Sequence, residues 1–363
     1  MKIHLPGLNG IRAIAALAVI FSHIGLSLDE FGLKKLEDID LAGYGVTIFF
    51  SLSGFLITYL LLIEKERFEY INVKQFYIRR ILRIWPLYYF YLFITVATVL
   101  VYHLQPIGGN LWYYIFFSAN APFIFGTAIP LLGHFWSLGV EEQFYLFWPW
   151  VVNKTSRLFR VIVIFILFII MLKVAAWVLF KKTGIVIPYQ VIHVTRFHCM
   201  AIGALGAILF HRRHKLFLDI SYSIIAQVVS WLFVASLAFS LFQGGSLIKH
   251  EAVAIIAVVL IVNVAGNSKS LIKLNGWIPD YLGRISFGLY VYHPLIIFLT
   301  AKALGRYLEQ IEPVTRAIIV YPLLLTLTVV VAGISYRFFE KRFLVLKTGF
   351  SRVKSYASER QGI

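Results

Sequence analysis

An arginine and a histidine stand eleven residues apart in the first apolar stretch of the chain. Arg12 lies near the start of this stretch and His23 near its end. Eleven residues make about three helical turns, so both side chains would face the same side, with His23 roughly 16 Å deeper in a membrane. Ionisable groups inside a membrane usually mark a function, and a neutral imidazole can accept a proton from a hydroxyl group. Alternatively, Arg12 snorkels to the surface and His23 hydrogen-bonds to a neighbouring helix.

Two adjacent glutamates interrupt an aromatic stretch further along the chain, at Glu141 and Glu142. Neighbouring positions on a helix point about 100° apart, so the two carboxylates cannot share one polar face. We expect Glu141 to face the bundle interior, one turn after Ser137, and Glu142 to pair with a nearby cation. Purely structural pairing with an arginine of another helix is the alternative.

Three arginines, Arg79, Arg80 and Arg83, lie in a basic stretch that we expect to be a loop over 64–84. Guanidinium groups match phosphate oxygens, so these residues could hold the phosphates of a cytosolic cofactor. They could equally rest on anionic lipid.

Two further stretches place polar side chains next to apolar spans. Arg196 and His198 precede a glycine-containing span, where the glycines indicate helix packing and the polar pair could contact a substrate. Tyr290 and His293 lie within a later span, and Pro294 disfavours a regular helix at His293. Packing and function are both open for this second pair.

The composition identifies a membrane protein. Of 363 residues, 60% are hydrophobic and only 14% charged, against about 25% charged in soluble domains. The sequence predicts an all-α, polytopic transmembrane helical bundle. About ten spans are expected, at 11–28, 44–63, 85–103, 135–152, 158–180, 197–210, 220–242, 251–265, 284–304 and 315–338. Residues 111–128 are apolar but broken, so we expect an interfacial or re-entrant segment there.

The distribution of charge predicts the orientation. Ten spans place most of the 34 Lys and Arg residues on one side, and the loop 104–134 on the other side contains none. By the positive-inside rule both termini are cytoplasmic. The net charge of +17 is therefore explained by topology, which excludes nucleic acid as the expected partner. We divide the chain into a membrane domain at 1–340 and a basic cytoplasmic tail at 341–363.

Several other classes of site have no support in the sequence. The single cysteine, Cys199, excludes an internal disulfide framework, and no cluster has metal-ligand spacing. Neither a nucleotide-binding loop nor a Gly-x-Ser-x-Gly motif occurs. The first apolar stretch is longer than a signal-peptide core and contains His23, so we expect it to be a retained helix. A histidine, a carboxylate and arginines within a membrane suit acyl transfer to a hydroxyl group.

Seven motifs follow one another in a fixed order over nearly the whole chain. They are Asn9-Gly10-x-Arg12 with His23, Phe49-Phe50-x-Leu52-Ser53-Gly54-Phe55-Leu56-Ile57, Arg79-Arg80-x-x-Arg83-x-x-Pro86, Phe135-Trp136-Ser137-Leu138-x-Val140-Glu141-Glu142-Gln143-Phe144-Tyr145, Arg196-Phe197, Ile285-Ser286-Phe287-Gly288-x-Tyr290-x-x-His293-Pro294 and Ser335-Tyr336-Arg337-Phe338-Phe339-Glu340-Lys341. In this order they resemble the membrane-bound acyltransferase 3 family. Asn9 and Ala13 stand where aspartate and glycine are commoner, which leaves Arg12 and His23 unaffected.

The resemblance implies an integral O-acyltransferase of a bacterial-type inner membrane, in the stand-alone form without an extracytoplasmic hydrolase-like domain. The donor would be a cytosolic acyl-CoA, most often acetyl-CoA, used as a co-substrate, with no permanently bound cofactor and no metal. The acceptor would be a hydroxyl group of a cell-surface or lipid-linked polysaccharide, lipopolysaccharide included, and the other partner is membrane lipid. The oligomeric state is not predicted.

Site roles follow from the resemblance and from the residue chemistry together. We expect His23 to act as general base or transient acyl carrier, Arg12 to orient the donor, and Glu141 to orient a partner or the acceptor. The coenzyme phosphates would be bound by Arg79, Arg80 and Arg83. Contacts to the substrates are expected from Trp136, Ser137, Glu142, Arg196, Tyr290 and His293.

Two other functions stay open at this point. A transporter or flippase of a polar solute could use the same intramembrane charges as a relay. The sequence lacks an internal repeat and carries a cytosolic arginine cluster, and both features count against transport. An acyltransferase acting on a small secondary metabolite would have the same sequence features.

Overall fold

The computed structural model describes residues 5–36, 40–239 and 247–353, and over these ranges the chain is all-helical, without a strand. The α-helices are α1 (Leu8–Leu26), α2 (Leu41–Phe68), α3 (Val73–Val101), α4 (Leu111–Ile115), α5 (Asn120–Ile124), α6 (Trp136–Lys154), α7 (Leu158–Thr183), α8 (Ile187–Thr195), α9 (Phe197–His211), α10 (Lys215–Tyr222), α11 (Ile224–Ala238), α12 (Lys249–Gly266), α13 (Trp277–Arg284), α14 (Ser286–Leu308), α15 (Pro313–Ser335) and α16 (Lys341–Thr348). The predicted all-α bundle is therefore confirmed.

Eight helices of the described ranges are long and apolar enough to cross a membrane, or nine if the bent pair α10 and α11 forms one span. The prediction of about ten spans counted α6 as well. That helix has 19 residues, but Glu141, Glu142 and Gln143 make it too polar to qualify by composition. The orientation of the termini stays a prediction, since residues 1–4 and 354–363 lie outside the described residues. The end of the span predicted at 220–242 also lies outside them.

The segment 111–128 contains only two five-residue helices, α4 and α5, joined by a short turn. Neither helix is long enough to span a membrane at about 1.5 Å per residue. The segment instead packs beside α6 and α8, in agreement with the interpretation that it does not cross as one helix.

Close packing of α2 against α9 forms the centre of the bundle. A Cβ atom on Gly54 would overlap the carbonyl oxygen of Met200, and one on Gly203 would overlap the carbonyl oxygen of Ser51. Small residues allow the two backbones to touch. In a membrane, this close van der Waals packing holds helices together, because the hydrophobic effect does not drive apolar helices to associate in lipid. The predicted packing role of the glycines is confirmed here, and this contact fixes the face of α2 that carries Ser53.

The basic stretch predicted as a loop over 64–84 is helical at both ends. α2 continues to Phe68, and α3 begins at Val73, where the side chain of Asn72 caps the helix by accepting a hydrogen bond from the backbone N–H of Gln75 at 3.0 Å. The connection is therefore only four residues long. Consequently the three arginines lie on one rigid helix, and Arg79 points away from the side of the helix that carries Arg80 and Arg83.

The last helices form one almost continuous rod. α15 leads through a π-helical turn at Tyr336–Glu340 into α16, and α16 packs on α3. In the predicted tail, the guanidinium group of Arg352 stacks over the rings of Phe68 and Tyr70. Residues 341–352 therefore lie against the helical bundle, while 354–363 lie outside the described residues and the predicted domain division stays a prediction.

Candidate active site

A cavity of about 760 Å³, counted with the open space at its mouth, lies between α1, α2, α3, α6 and α14. Its polar lining consists of Arg12, Ser53, Arg80, Arg83, Ser137, Glu141, Tyr145, Ser286 and Tyr290. Its apolar wall includes the rings of Phe49, Phe50 and Phe287. We call this space the arginine cavity. It brings together residues from five of the seven sequence motifs.

Three guanidinium groups of the arginine cavity face few compensating charges. Arg12 donates to the side-chain oxygen of Asn9 at 2.9 Å. Arg80 lies over the rings of Phe76 and Tyr145, and its Nε is buried without a hydrogen-bond partner. Arg83 forms no ion pair or hydrogen bond with any residue that the structure describes. The amino group of Lys347 on α16 lies within electrostatic range of all three guanidinium groups.

Glu141 supplies the one carboxylate among the described residues of the cavity wall. Its Oε1 accepts hydrogen bonds from the hydroxyl groups of Ser53 and Tyr145, the latter at 3.2 Å. The expectation that Glu141 faces the interior is confirmed. Its partners are hydroxyl groups, however, so it leaves the nearby guanidinium groups free to meet an anion.

Arg79, next to Arg80, and Glu142, next to Glu141, do not line the cavity. Arg79 pairs with the buried carboxylate of Glu64 at 3.3 Å and donates to the carbonyl of Phe350 at 2.8 Å. Glu142 accepts from the indole N–H of Trp85 at 3.2 Å. The expectation that Glu142 pairs with a cation was wrong for the described part of the chain, because its partner there is the indole of Trp85 on α3 and no ion pair forms.

Ser137 and Tyr290 form part of the cavity wall. Their hydroxyl groups are 2.5 Å apart, and the Tyr290 hydroxyl also donates to the backbone carbonyl of His134 at 2.7 Å. Behind this wall lies His293, whose ring is 5.9 Å from that of Tyr290. His23 is the next side chain, with its ring 4.8 Å from that of His293. Thus Arg12 lines the cavity, and His23 lies one layer behind it.

A second polar cluster joins α7, α9 and α12 away from the cavity. The Nζ of Lys173 lies 2.6 Å from Oε1 of Glu251, and Nε2 of His198 donates to the same oxygen at 2.7 Å. Arg196 donates from Nη1 to the carbonyl of Gly43 at 3.0 Å. We call these four side chains, Lys173, Arg196, His198 and Glu251, the clamp.

The clamp places two predicted substrate residues in a structural setting. Arg196 also donates from Nε to the carbonyl of His193 at 2.7 Å, and its guanidinium group lies over the ring of Trp136. Trp136 packs against Phe50 and Phe123. Neither residue lines the arginine cavity, so their predicted contact with a substrate stays a prediction.

Sequence reasoning did not assign a role to three parts of this region. These parts are Tyr145, His134 and the pairing of Lys173 with Glu251. Tyr145 stands four residues after Glu141, which is a usable signal for a hydrogen bond within one helix. The other two contacts join residues far apart in the chain and carry no local signal.

Comparisons with known proteins identify the family of the chain. A family model described as an acyltransferase domain matches residues 5–337. The chain is 30% identical to the peptidoglycan O-acetyltransferase OatA of Listeria monocytogenes over 96% of its length, and 29% identical to the O-acetyltransferase OatA of Staphylococcus aureus, also over 96%. It spans 56% and 58% of these relatives. No solved structure matches the chain.

Because the family model covers most of the chain, the protein belongs to the acyltransferase 3 family. Its described helices place it among multi-pass membrane proteins.

Proposed function

We propose that this protein is an O-acyltransferase of the bacterial plasma membrane that moves an acetyl group from acetyl-CoA to a hydroxyl group of a cell-surface glycan. The observation that carries the proposal is the arginine cavity, in which three guanidinium groups meet a single carboxylate. A cationic site of this kind suits an anion with several phosphates. Relatives named as peptidoglycan O-acetyltransferases support acetyl as the acyl group and a peptidoglycan-type glycan as the acceptor.

The donor would enter with its phosphates towards α3. Arg80 and Arg83 offer donors that no carboxylate of the described chain occupies, and a guanidinium fork can bind phosphate oxygens bidentately. The acyl end would extend along Phe49, Phe50 and Phe287 towards Ser137 and Tyr290. Arg79 is engaged by Glu64 and so contributes less to this binding than its two neighbours.

The transfer itself requires one proton to move. The hydroxyl oxygen of the acceptor forms a bond to the thioester carbon, and the carbon–sulfur bond breaks. His23 accepts the hydroxyl proton and returns one to the thiolate of coenzyme A, so charge and protons balance. Arg12 orients the donor, and Glu141, fixed by Ser53 and Tyr145, orients the acceptor side of the cavity.

A reconstituted assay tests the proposal. Purified protein in lipid vesicles is given radiolabelled acetyl-CoA and chitotetraose, a soluble oligomer of N-acetylglucosamine, and labelled glycan is counted. We expect wild-type protein to label the glycan and His23→Ala and Arg12→Ala to lower the rate by roughly 100-fold or more, as for loss of a general base or a charged donor contact. His103→Asn is the control, since His103 is exposed and has a left-handed backbone that asparagine tolerates. Unlabelled glycan with the wild type, or wild-type rates in both variants, would contradict the proposal.

A further inference from the structure

Two consecutive side-chain hydrogen bonds connect α13 to the arginine cavity. Nη1 of Arg12 donates to the side-chain oxygen of Asn9 at 2.9 Å, and the amide nitrogen of Asn9 donates to a carboxylate oxygen of Asp280 at 2.8 Å. The other carboxylate oxygen of Asp280 pairs with Nε of Arg284, one turn further along α13, at 3.3 Å. Arg12 is the member of this set that lines the cavity, so the connection reaches the cavity through its guanidinium group.

The chemistry of its two partners fixes the direction of the Asn9 amide. A guanidinium group can only donate hydrogen bonds, so the side-chain atom of Asn9 that faces Arg12 is the oxygen. An ionised carboxylate can only accept them, so the atom that faces Asp280 is the nitrogen. Both hydrogen bonds therefore form in one orientation of the amide. Asp280 selects this orientation, and the Asn9 oxygen then meets Arg12.

Backbone contact between α13 and α1 holds Asp280 in place. A Cβ atom on Gly283 would overlap the backbone carbonyl oxygen of Asn9, so a glycine is required for the two helices to come this close. Asp280 precedes Gly283 by three residues, about one helical turn, and therefore lies on the same face of α13. The end of α13 is tied to the cavity wall as well, because the hydroxyl group of Ser286, which lines the cavity, donates to the carbonyl of Gly283 at 2.9 Å.

The group that holds Arg12 is neutral. Arg12 forms no ion pair with an acidic side chain in the described ranges, and its guanidinium group has further N–H donors for a ligand. A carboxylate in direct contact would neutralise the charge that an anionic donor needs, whereas Asp280 acts from one side chain further away. A long side chain that is fixed before the ligand arrives loses less conformational entropy on binding. The arrangement thus fixes Arg12 and leaves its charge available.

We propose that Asp280 is a positioning residue of the donor site. Through the amide of Asn9 it sets the direction of the Arg12 guanidinium group, which contacts the anionic part of acetyl-CoA from the side of α1. This inference rests on the proposed function and deepens it, because it gives α13 a part in donor binding. Asp280 does not touch the donor itself, since it lies outside the cavity lining.

Three variants separate the hydrogen bond of Asp280 from its charge. Asp280→Ala removes both, and Asp280→Asn removes the charge but keeps an oxygen that can accept from the Asn9 amide. Asp219→Ala is the matched control, since it removes an exposed carboxylate of α10. The Kd of acetyl-CoA is measured by titration calorimetry on the full chain in lipid nanodiscs, without glycan. We expect Asp280→Ala to raise the Kd roughly tenfold, the factor for about one hydrogen bond. Asp280→Asn and the control should stay within about twofold of wild type.

A second measurement tests whether Asp280 acts through Arg12. Arg12→Ala alone should raise the Kd by roughly tenfold or more, because a charged contact to the donor is lost. Adding Asp280→Ala to this variant should change the Kd by less than about twofold, since the group that Asp280 positions is already absent. Asn9→Ala should reproduce the loss seen in Asp280→Ala and also have no further effect in the Arg12→Ala background. Alanine favours the helical conformation of α1, so Asn9→Ala keeps the test available if Asp280→Ala does not fold.

Three results would overturn the inference and leave the proposed function intact. The first is a Kd equal to that of wild type in Asp280→Ala and Asn9→Ala. The second is an equal loss in Asp280→Asn and Asp280→Ala, because charge and not the direction of the amide would then matter. The third is a full tenfold effect of Asp280→Ala in the Arg12→Ala background, because Asp280 would then support the fold. If wild-type protein does not bind acetyl-CoA, the proposed donor fails and the inference with it.

Discussion

The arginine cavity and the clamp both contain basic side chains and a glutamate, but the charges are paired in the clamp and unpaired in the cavity. In the clamp, Lys173 is 2% exposed, and its charge is met by Glu251 at 2.6 Å. In the cavity, Arg80 and Arg83 have no carboxylate partner among the described residues, and Glu141 binds hydroxyl groups. A buried charge that is already paired holds helices together, and one that is left unpaired needs a ligand. The comparison assigns structure to the clamp and binding to the cavity.

The largest expected effect is on the clamp. Glu251→Ala leaves Lys173 buried without its counter-charge, and breaking one side of such a pair costs about 3–5 kcal/mol. We expect a large drop in the unfolding temperature of the detergent-solubilised protein, measured by intrinsic tryptophan fluorescence. The double variant Lys173→Met with Glu251→Met should recover much of the loss, because both buried charges are gone. A single variant as stable as wild type would remove the contrast between the two regions.

Next come the arginines of the cavity. Arg80→Gln and Arg83→Gln each remove donors that a phosphate would use, and a hydrogen bond to a charged group contributes about 1.5–3 kcal/mol. We expect the KM for acetyl-CoA to rise by roughly 10- to 100-fold in each, with an unfolding temperature equal to that of wild type or higher, since like charges are relieved. If these variants lost stability without losing donor affinity, the cavity would be a structural feature like the clamp.

A smaller effect is expected at the carboxylate of the cavity. Glu141→Gln keeps an oxygen that can accept from Ser53 and Tyr145 and removes the negative charge. Acetyl-CoA should bind roughly threefold to tenfold more tightly, because the anion then meets only positive groups. Glu142→Gln is the matched control, since Glu142 faces Trp85 outside the cavity. Equal affinities in wild type and Glu141→Gln, measured by titration calorimetry, would show that this carboxylate does not sense the donor.

The smallest effect on acetyl-CoA binding is expected at Arg79, which, unlike Arg80 and Arg83, has a carboxylate partner. Arg79 is paired with Glu64 and the carbonyl of Phe350, so Arg79→Gln should change the KM for acetyl-CoA by less than about threefold. The variant should also lose stability, because it removes one of the two cations that the described chain places near the buried carboxylate of Glu64; the other, Arg352, is 3.7 Å away. A change as large as that of Arg83→Gln would extend the binding site to all three arginines.

Much of the architecture could be predicted from the sequence, because apolar length and small residues act locally. The spans, the packing glycines and the inward direction of Glu141 follow from the period of a helix. The sequence could not predict which charged side chains pair within the protein and which are left without a partner, since the pairs join helices that are distant in the sequence. Arg196 can donate to the carbonyl of Gly43 only when α2 packs against α9, and no residue near Arg196 in the sequence indicates that acceptor. Likewise, most of the expected loop over 64–84 belongs to α2 and α3. Because the three arginines lie on α3, the helix directs Arg79 away from Arg80 and Arg83.

The most direct test of the account is a cryo-electron microscopy structure of the protein in lipid nanodiscs with a non-hydrolysable acetyl-CoA analogue. We predict density for the coenzyme in the arginine cavity, with phosphate oxygens within hydrogen-bonding distance of Arg80 and Arg83 and the acyl end towards Ser137 and Tyr290. Coenzyme density elsewhere on the protein, with both guanidinium groups free of phosphate, would contradict the account.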